Sequence, residues 1–183
     1  MTKPEARALA KALRARLDHK ALGRAMADAL FGLPVWQQAR AVLAFAALPD
    51  EPGTAPVLTR ALAEGKRLLL PRVRGGGTLD WVDVPDLALL RPGAFGIPEP
   101  AAELPPAILP AEGTLLLVPC LAVSRDGVRL GRGGGYYDRF LAHAKGERLL
   151  WCPSALILPE VPADSWDLRF APEKILTEKG TLV

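Results

Sequence analysis

The sequence predicts an α/β protein built on a mostly parallel sheet with helices on both sides. Three observations carry that expectation. Short, unbroken apolar runs such as "ARAVLAFAAL" and "TLLLVP" recur along the chain, the pattern of strands buried on both faces. Between them lie segments with apolar residues three or four apart, the spacing of helices that cover such a sheet. A glycine-rich stretch, "VRLGRGGGYYDRFL" (128–141), stands between a buried strand and a helix, where open α/β sheets bind ligands.

The elements follow in order. Residues 3 to about 30 read as helix with a break near Gly23; Leu9, Leu13 and Leu17 form one apolar stripe, and Lys3, Arg7, Lys11 and Arg14 a basic face. Ala39 to Leu48 reads as a buried strand, broken by Pro49 to Gly53, and "TAPVLTRALAEG" as a helix ending at a glycine stop. "KRLLLP" and "TLDWVDV" are strands flanking an "RGGG" turn. The proline-rich stretch from Leu90 to Gly113 reads as a long irregular connection. "TLLLVP" resumes as a strand, a helix runs from about Tyr136 to Lys145, and "RLLWCPSALIL" and "EKILT" are the last strands.

Composition narrows the function classes. At 183 residues, half of them hydrophobic and 23% charged, the chain fits one soluble globular domain, residues 1–183. No apolar run approaches the roughly 20 residues of a membrane span. The charged N-terminus lacks a signal core, which points to the cytoplasm. Cys120 and Cys152 carry no metal-ligand spacing and read as reduced core thiols. A net charge of +3 suits anionic small molecules without demanding nucleic acid. The expected partners are therefore small molecules, with no nucleic acid and no membrane, and the chain is expected to be a monomer.

The glycine stretch reads either as a mobile turn or as a phosphate cradle. Its place before a helix favours the cradle: the N–H groups of Gly131, Gly133, Gly134 and Gly135 can turn toward an anion, with Arg129 and Arg132 supplying full charges. It matches neither common nucleotide fingerprint. Tyr136 takes the place of the third glycine of G-x-G-x-x-G, and the Gly-Lys-Ser/Thr ending of the other is missing. Asp138 either complements the helix dipole or holds Mg²⁺, which takes one or two carboxylates beside phosphate oxygens; the second reading is favoured. Of Tyr136 and Tyr137, one is expected to pack inward and the other to line the site.

These residues, "RLGRGGGYYD", resemble the signature of the 5-formyltetrahydrofolate cyclo-ligase (methenyltetrahydrofolate synthetase) family. Lys3 and Arg7, "PDE" with Thr54, Gly65-Lys66 before "LPR", "FGIPEP", "VPCLAVSRDGVRLG" and "ILTE" agree in order and approximate spacing. The resemblance implies a three-layer α/β/α domain of modified Rossmann type. It implies closure of 5-formyltetrahydrofolate to 5,10-methenyltetrahydrofolate, with ATP as co-substrate and Mg²⁺ as cofactor, through phosphorylation of the formyl oxygen. It further implies ATP contacts from Lys3, Arg7 and the run Arg129, Leu130, Gly131, Arg132, Gly133, Gly134, Gly135, Tyr136 and Tyr137. Folate contacts would come from Ala46, Glu51, Phe95, Arg132 and Tyr136, and metal contacts from Asp138 and Asp167. Glu51, Arg132 and Asp138 form the implied catalytic set.

Several positions depart from the family pattern. Gly134 stands where relatives often carry Lys, Trp166 where they carry His, and Phe45 where they carry Tyr. The segment from Asp167 to "ILTE" is about two residues longer than usual. Two rival readings are a divergent ATP-binding member, acting on another substrate or linked to thiamine metabolism, and an RNA binder. An aromatic content of 6% argues against the RNA binder.

Overall fold

The computed structural model describes residues 1–93, 96–110, 112–165 and 167–182; Phe95 and Trp166 lie outside the described residues. Helix α1 (Lys3–Arg14) opens on a capping box: Thr2 and Glu5 each accept a hydrogen bond from the other's backbone N–H. Its buried face is Ala6, Ala10 and Arg14, while Leu9 is exposed and Leu13 only packs at the margin. The leucine stripe expected from the sequence is therefore not the buried face. Alanines let the helix lie close on the layer beneath, which brings Lys3 and Arg7 to the glycine loop and Arg14 to the corner after β6.

The expected helix break falls at residues 15–18, not at Gly23. Asp18 caps α2 (His19–Phe31) by accepting from the Ala21 N–H at 2.9 Å, and so starts a new helix. Gly23 sits inside α2 because the backbone at Gly53 presses on it: a Cβ at Gly23 would lie 2.3 Å from the Gly53 carbonyl. A short helix α3 (Pro34–Gln38), not anticipated, leads to β1 (Ala41–Leu43). The apolar run leaves the sheet after Leu43. Thr54 captures it, its hydroxyl donating to Phe45 O at 2.5 Å and accepting from Ala47 N at 3.1 Å.

Helix α4 (Ala55–Ala63) returns the chain to β2 (Arg67–Arg74), which pairs antiparallel with β3 (Thr78–Asp83) across the Gly75–Gly77 tip. The proline-rich connection holds a two-stranded hairpin, β4 (Leu90–Pro92) and β5 (Pro98–Pro100). After β6 (Thr114–Pro119) come β7 (Ala122–Ser124), β8 (Arg129–Leu130) and α5 (Tyr136–Leu141), then β9 (Glu147–Trp151), β10 (Ile157–Leu158), β11 (Ile175–Thr177) and β12 (Gly180–Thr181). The final long run thus divides: β9 enters the main sheet, while β10 joins β7 and β8 in a small second sheet.

The main sheet has the order β12-β11-β9-β6-β1-β2-β3, and neighbours from β11 to β2 are parallel. Strand alternation sorts its side chains into two cores. Val42, Leu68, Leu115, Leu117, Leu149 and Leu176 face α2, α3 and α4, whereas Leu43, Leu69, Leu116, Val118, Leu150 and Ile175 face α1, α5 and the small sheet. This is the expected three-layer α/β/α arrangement. The chain leaves β1 toward β2 on one side and β6 toward β9 on the other. The carboxyl ends of β1 and β6 therefore flank the point where the winding reverses, the place where such sheets bind ligands.

Candidate active site

Two cavities open at that reversal point and share the glycine loop as a wall. The first, of about 170 Å³, runs from the segment after β1 (Phe45, Ala46, Leu48, Glu51) past the β2–β3 hairpin to Pro119 and Cys120 at the end of β6. The rest of its wall is Ile97 and Glu99 from the β4–β5 hairpin, Arg129, the loop from Gly131 to Gly135, Tyr136, Tyr137 and Asp138. The second, of about 340 Å³, lies on the α1 side, among Lys3, Arg7, Arg129, Leu130, Gly131, Gly133, Gly135, Asp138, Arg139 and Asp167. The first is mainly apolar. The second sets four cationic side chains against two carboxylates, a balance that favours a polyanion.

The loop follows β8 of the small sheet, so the strand directly before it is not "TLLLVP", the buried strand that the sequence suggested. Gly133 (φ 100°) and Gly135 (φ 68°) occupy left-handed backbone that a side chain would strain. Two guanidiniums brace the loop. Arg7 Nε donates to Gly131 O at 3.1 Å, and Arg139 Nη1 donates both to Gly134 O at 3.0 Å and to Gly77 O at 2.9 Å. Arg139 thereby ties the loop to the hairpin tip, a role its sequence position gave no sign of.

Charge pairing organises the rest. Arg129 is buried and donates to Pro119 O at 2.9 Å and to Asp138 Oδ1 at 2.7 Å. Lys3 holds Asp164 and Asp167, each at 2.6 Å. Partial burial works against the Lys3 charge, but the hydrogen bonds to Asp164 and Asp167 outweigh it and raise the lysine's pKa. Burial likewise opposes ionisation of Asp167, and the Lys3 hydrogen bond overcomes it, holding the carboxyl below its ordinary value. Across the loop, Arg132 donates to Asp50 Oδ1 at 2.6 Å and to Glu51 Oε1 at 3.0 and 3.2 Å. Glu51 Oε2 accepts from Leu48 N at 3.0 Å, which fixes the turn after β1.

The site residues expected from the sequence thus converge, with Phe95 outside the described residues. Lys3, Arg7, Leu130 and Asp167 line the second cavity; Ala46, Glu51, Arg132, Gly134, Tyr136 and Tyr137 line the first; Arg129, Gly131, Gly133, Gly135 and Asp138 line both. Tyr137 packs edge-on to Trp81, with ring centroids 6.4 Å apart. Its hydroxyl is sealed from solvent without a hydrogen-bond partner. Burial first, and then the Glu51 charge, push that hydroxyl's pKa upward, so it remains a donor.

Asp138 and Asp167 face one cavity with oxygen donors suited to Mg²⁺. Among the described residues no group of three or more His, Cys, Asp or Glu side chains could hold an ion alone. Two carboxylates leave the remaining coordination positions to phosphate oxygens and water, so the donor set fits Mg²⁺ together with a nucleotide. Among the described residues, no helix is long and apolar enough to cross a membrane.

Comparison with known proteins agrees with this geometry. The family described as "5-formyltetrahydrofolate cyclo-ligase family" matches residues 3–178. A 5-formyltetrahydrofolate cyclo-ligase of Mycolicibacterium smegmatis is 35% identical over 156 residues, 79% of this chain and 76% of that protein. The Escherichia coli K12 enzyme of the same name is 26% identical, over 80% of this chain and 84% of its own. The solved structure of Aquifex aeolicus 5,10-methenyltetrahydrofolate synthetase superposes with a TM-score of 0.82 at 30% identity, covering 100% of this chain and 92% of that one. That of the Mycoplasma pneumoniae synthetase, at 16% identity, shares the fold with a TM-score of 0.73, covering 97% of this chain and 99% of its own. Family match, sequence identity and fold converge: the chain belongs to the 5-formyltetrahydrofolate cyclo-ligase family.

Proposed function

We propose that the chain, acting as one catalytic unit, closes 5-formyltetrahydrofolate to 5,10-methenyltetrahydrofolate at the expense of ATP, with Mg²⁺ as cofactor. One observation carries this reading: an apolar cavity and a cationic cavity meet at a single glycine loop. A flat heterocycle suits the first and a polyphosphate the second, and the loop lies where a phosphoryl group would pass between them.

In the proposed reaction the formyl oxygen attacks the γ-phosphorus of ATP, and the bond from that phosphorus to the ADP oxygen breaks. N10 then attacks the activated formyl carbon and loses its proton, and the carbon–oxygen bond to phosphate breaks as the ring closes. The protein's task is chiefly orientation and charge neutralisation around the phosphoryl group. Lys3 and Arg7 hold the polyphosphate from α1, and the loop amides between Gly131 and Gly135 approach it closely because no Cβ intervenes. Arg132 neutralises charge on the transferring group. Glu51 and Ala46 orient the formyl-bearing end of the folate at the end of β1, and Tyr136 and Tyr137 close over it. Asp138 and Asp167 would hold Mg²⁺, which when bound offsets phosphate charge. The two free, buried thiols support a reducing, cytoplasmic setting.

Incubating purified protein with 5-formyltetrahydrofolate and Mg-ATP should generate the near-ultraviolet absorbance of the methenyl product, together with stoichiometric ADP. No product at saturating substrate would sink the reading.

A further inference from the structure

Arg14 belongs to no family motif considered above, yet it is the most deeply buried cation of the site, with its side chain 1% exposed. Its Nη1 donates to Cys120 O at 3.1 Å and Leu121 O at 3.3 Å, which locks the guanidinium against the corner after β6. Its other nitrogens, Nε and Nη2, are sealed from solvent and make no hydrogen bond. They face Asp50 Oδ2 at 3.6 Å and Glu51 Oε1 at 3.9 Å, each a few tenths of an ångström beyond hydrogen-bond range. A buried guanidinium rarely leaves two donors unmade beside two carboxylates.

The reason lies on the opposite side of the same carboxylates. Arg132 holds Asp50 through Oδ1 and Glu51 through Oε1, the oxygen that also faces Arg14. Asp50 therefore bridges two guanidiniums, and Glu51 Oε1 lies between them. The two rivals differ in freedom: Arg132 is 43% exposed on a glycine loop, whereas Arg14 is fixed to two carbonyls. Glu51 is anchored at its far oxygen by Leu48 N, so a small rotation about that anchor moves Oε1 from one cation toward the other.

We infer that Arg14 is a positioning residue: the standing counter-ion that takes over Asp50 and Glu51 when Arg132 leaves them for a bound anionic ligand. The importance of this exchange for turnover rests on the proposed ligase reading; the exchange itself does not. Glu51 is 8% exposed, and an unpaired carboxylate there would be costly. With Arg14 in waiting, Arg132 can turn to a transferring phosphoryl group while Glu51 keeps a cationic partner and stays in place.

The decisive measurement is a crystal structure of ligand-free Arg132→Met. The expected result is that the 3.6 and 3.9 Å separations both contract to hydrogen-bond distance. Separations that stay as they are overturn the inference, whatever the enzyme's activity. Kinetics supply the second arm. Arg14→Met should lower kcat on the order of a hundredfold and change KM for ATP by less than about threefold. Arg14→Lys, which restores charge without the planar fork, should recover about tenfold. Equal loss in Arg14→Met and Arg14→Lys, tracking a common fall in melting temperature, would mean that Arg14 only fills space. An inactive wild-type protein would refute the ligase reading and leave the structural arm to decide the exchange.

Discussion

Replacing Tyr137 with Phe should move stability and ligand binding in opposite directions. The hydroxyl is sealed from solvent without a partner, and its ring packs edge-on to Trp81, so the substitution removes one oxygen and leaves the packing intact. A buried hydroxyl left unmatched costs about 1–3 kcal/mol. Taking the lower figure, Tyr137→Phe stabilises the ligand-free protein by about 1 kcal/mol. In a chain of this length that raises Tm by roughly 2–4 °C. If the hydroxyl donates to the folate, the same change removes a hydrogen bond with a net contribution of about 0.5–1.5 kcal/mol, which multiplies KM for the folate roughly two- to tenfold. Calorimetry without ligand and steady-state kinetics at saturating ATP measure the two effects separately. A fall in Tm would show that the hydroxyl already has a partner in the free protein. A rise in Tm with unchanged KM would show that it never meets the substrate.

Asp138→Ala should abolish Mg-dependent turnover on a folded protein; unchanged turnover would reduce Asp138 to a counter-charge for Arg129, which it contacts at 2.7 Å. Glu51→Ala should impair use of the folate more than binding of ATP, as titration calorimetry with a non-hydrolysable ATP analogue would show; equal loss of both would mark a structural role. Gly23→Ala adds a Cβ 2.3 Å from Gly53 O. The clash, on the order of 1–3 kcal/mol, exceeds the helix-propensity gain of up to about 1 kcal/mol, so Tm should fall. Asp50 predicts a pH effect. Burial raises its pKa, but the Arg132 hydrogen bond and the charges of Arg132 and Arg14 bring it below the ordinary 3.8. A depressed folded-state value means the contribution is complete above that ordinary value and lost as pH falls through the lower one. Acid melting curves should therefore be flatter for Asp50→Asn than for wild type, and parallel curves would contradict the pairing.

Much of the fold was legible because burial on both faces of a strand leaves a local trace. "TLLLVP" and "KRLLLP" are apolar at successive positions, since alternate residues serve opposite cores: Leu115 and Leu117 one, Leu116 and Val118 the other. The glycine loop was legible for a related reason, because close approach and left-handed backbone exclude side chains. Elsewhere local pattern misled. Leu9, Leu13 and Leu17 look like a buried stripe, but α1 buries alanines, because what matters there is how near the helix axis can come to its neighbour. Gly23 looks like a helix break and is a point of contact between distant backbones.

The sequence by itself determined the long buried strands of the main sheet, the loop and the inventory of charges, since each depends on residues adjacent in the chain. Only the tertiary structure decided that Arg14 and Arg132, 118 positions apart, contend for one pair of carboxylates, and that Arg139 fastens the loop to a hairpin tip. Ion pairs act over a few ångströms of space and are indifferent to separation along the chain. Their partners are therefore fixed only when the sheet order has been set and the ends of β1 and β6 lie side by side.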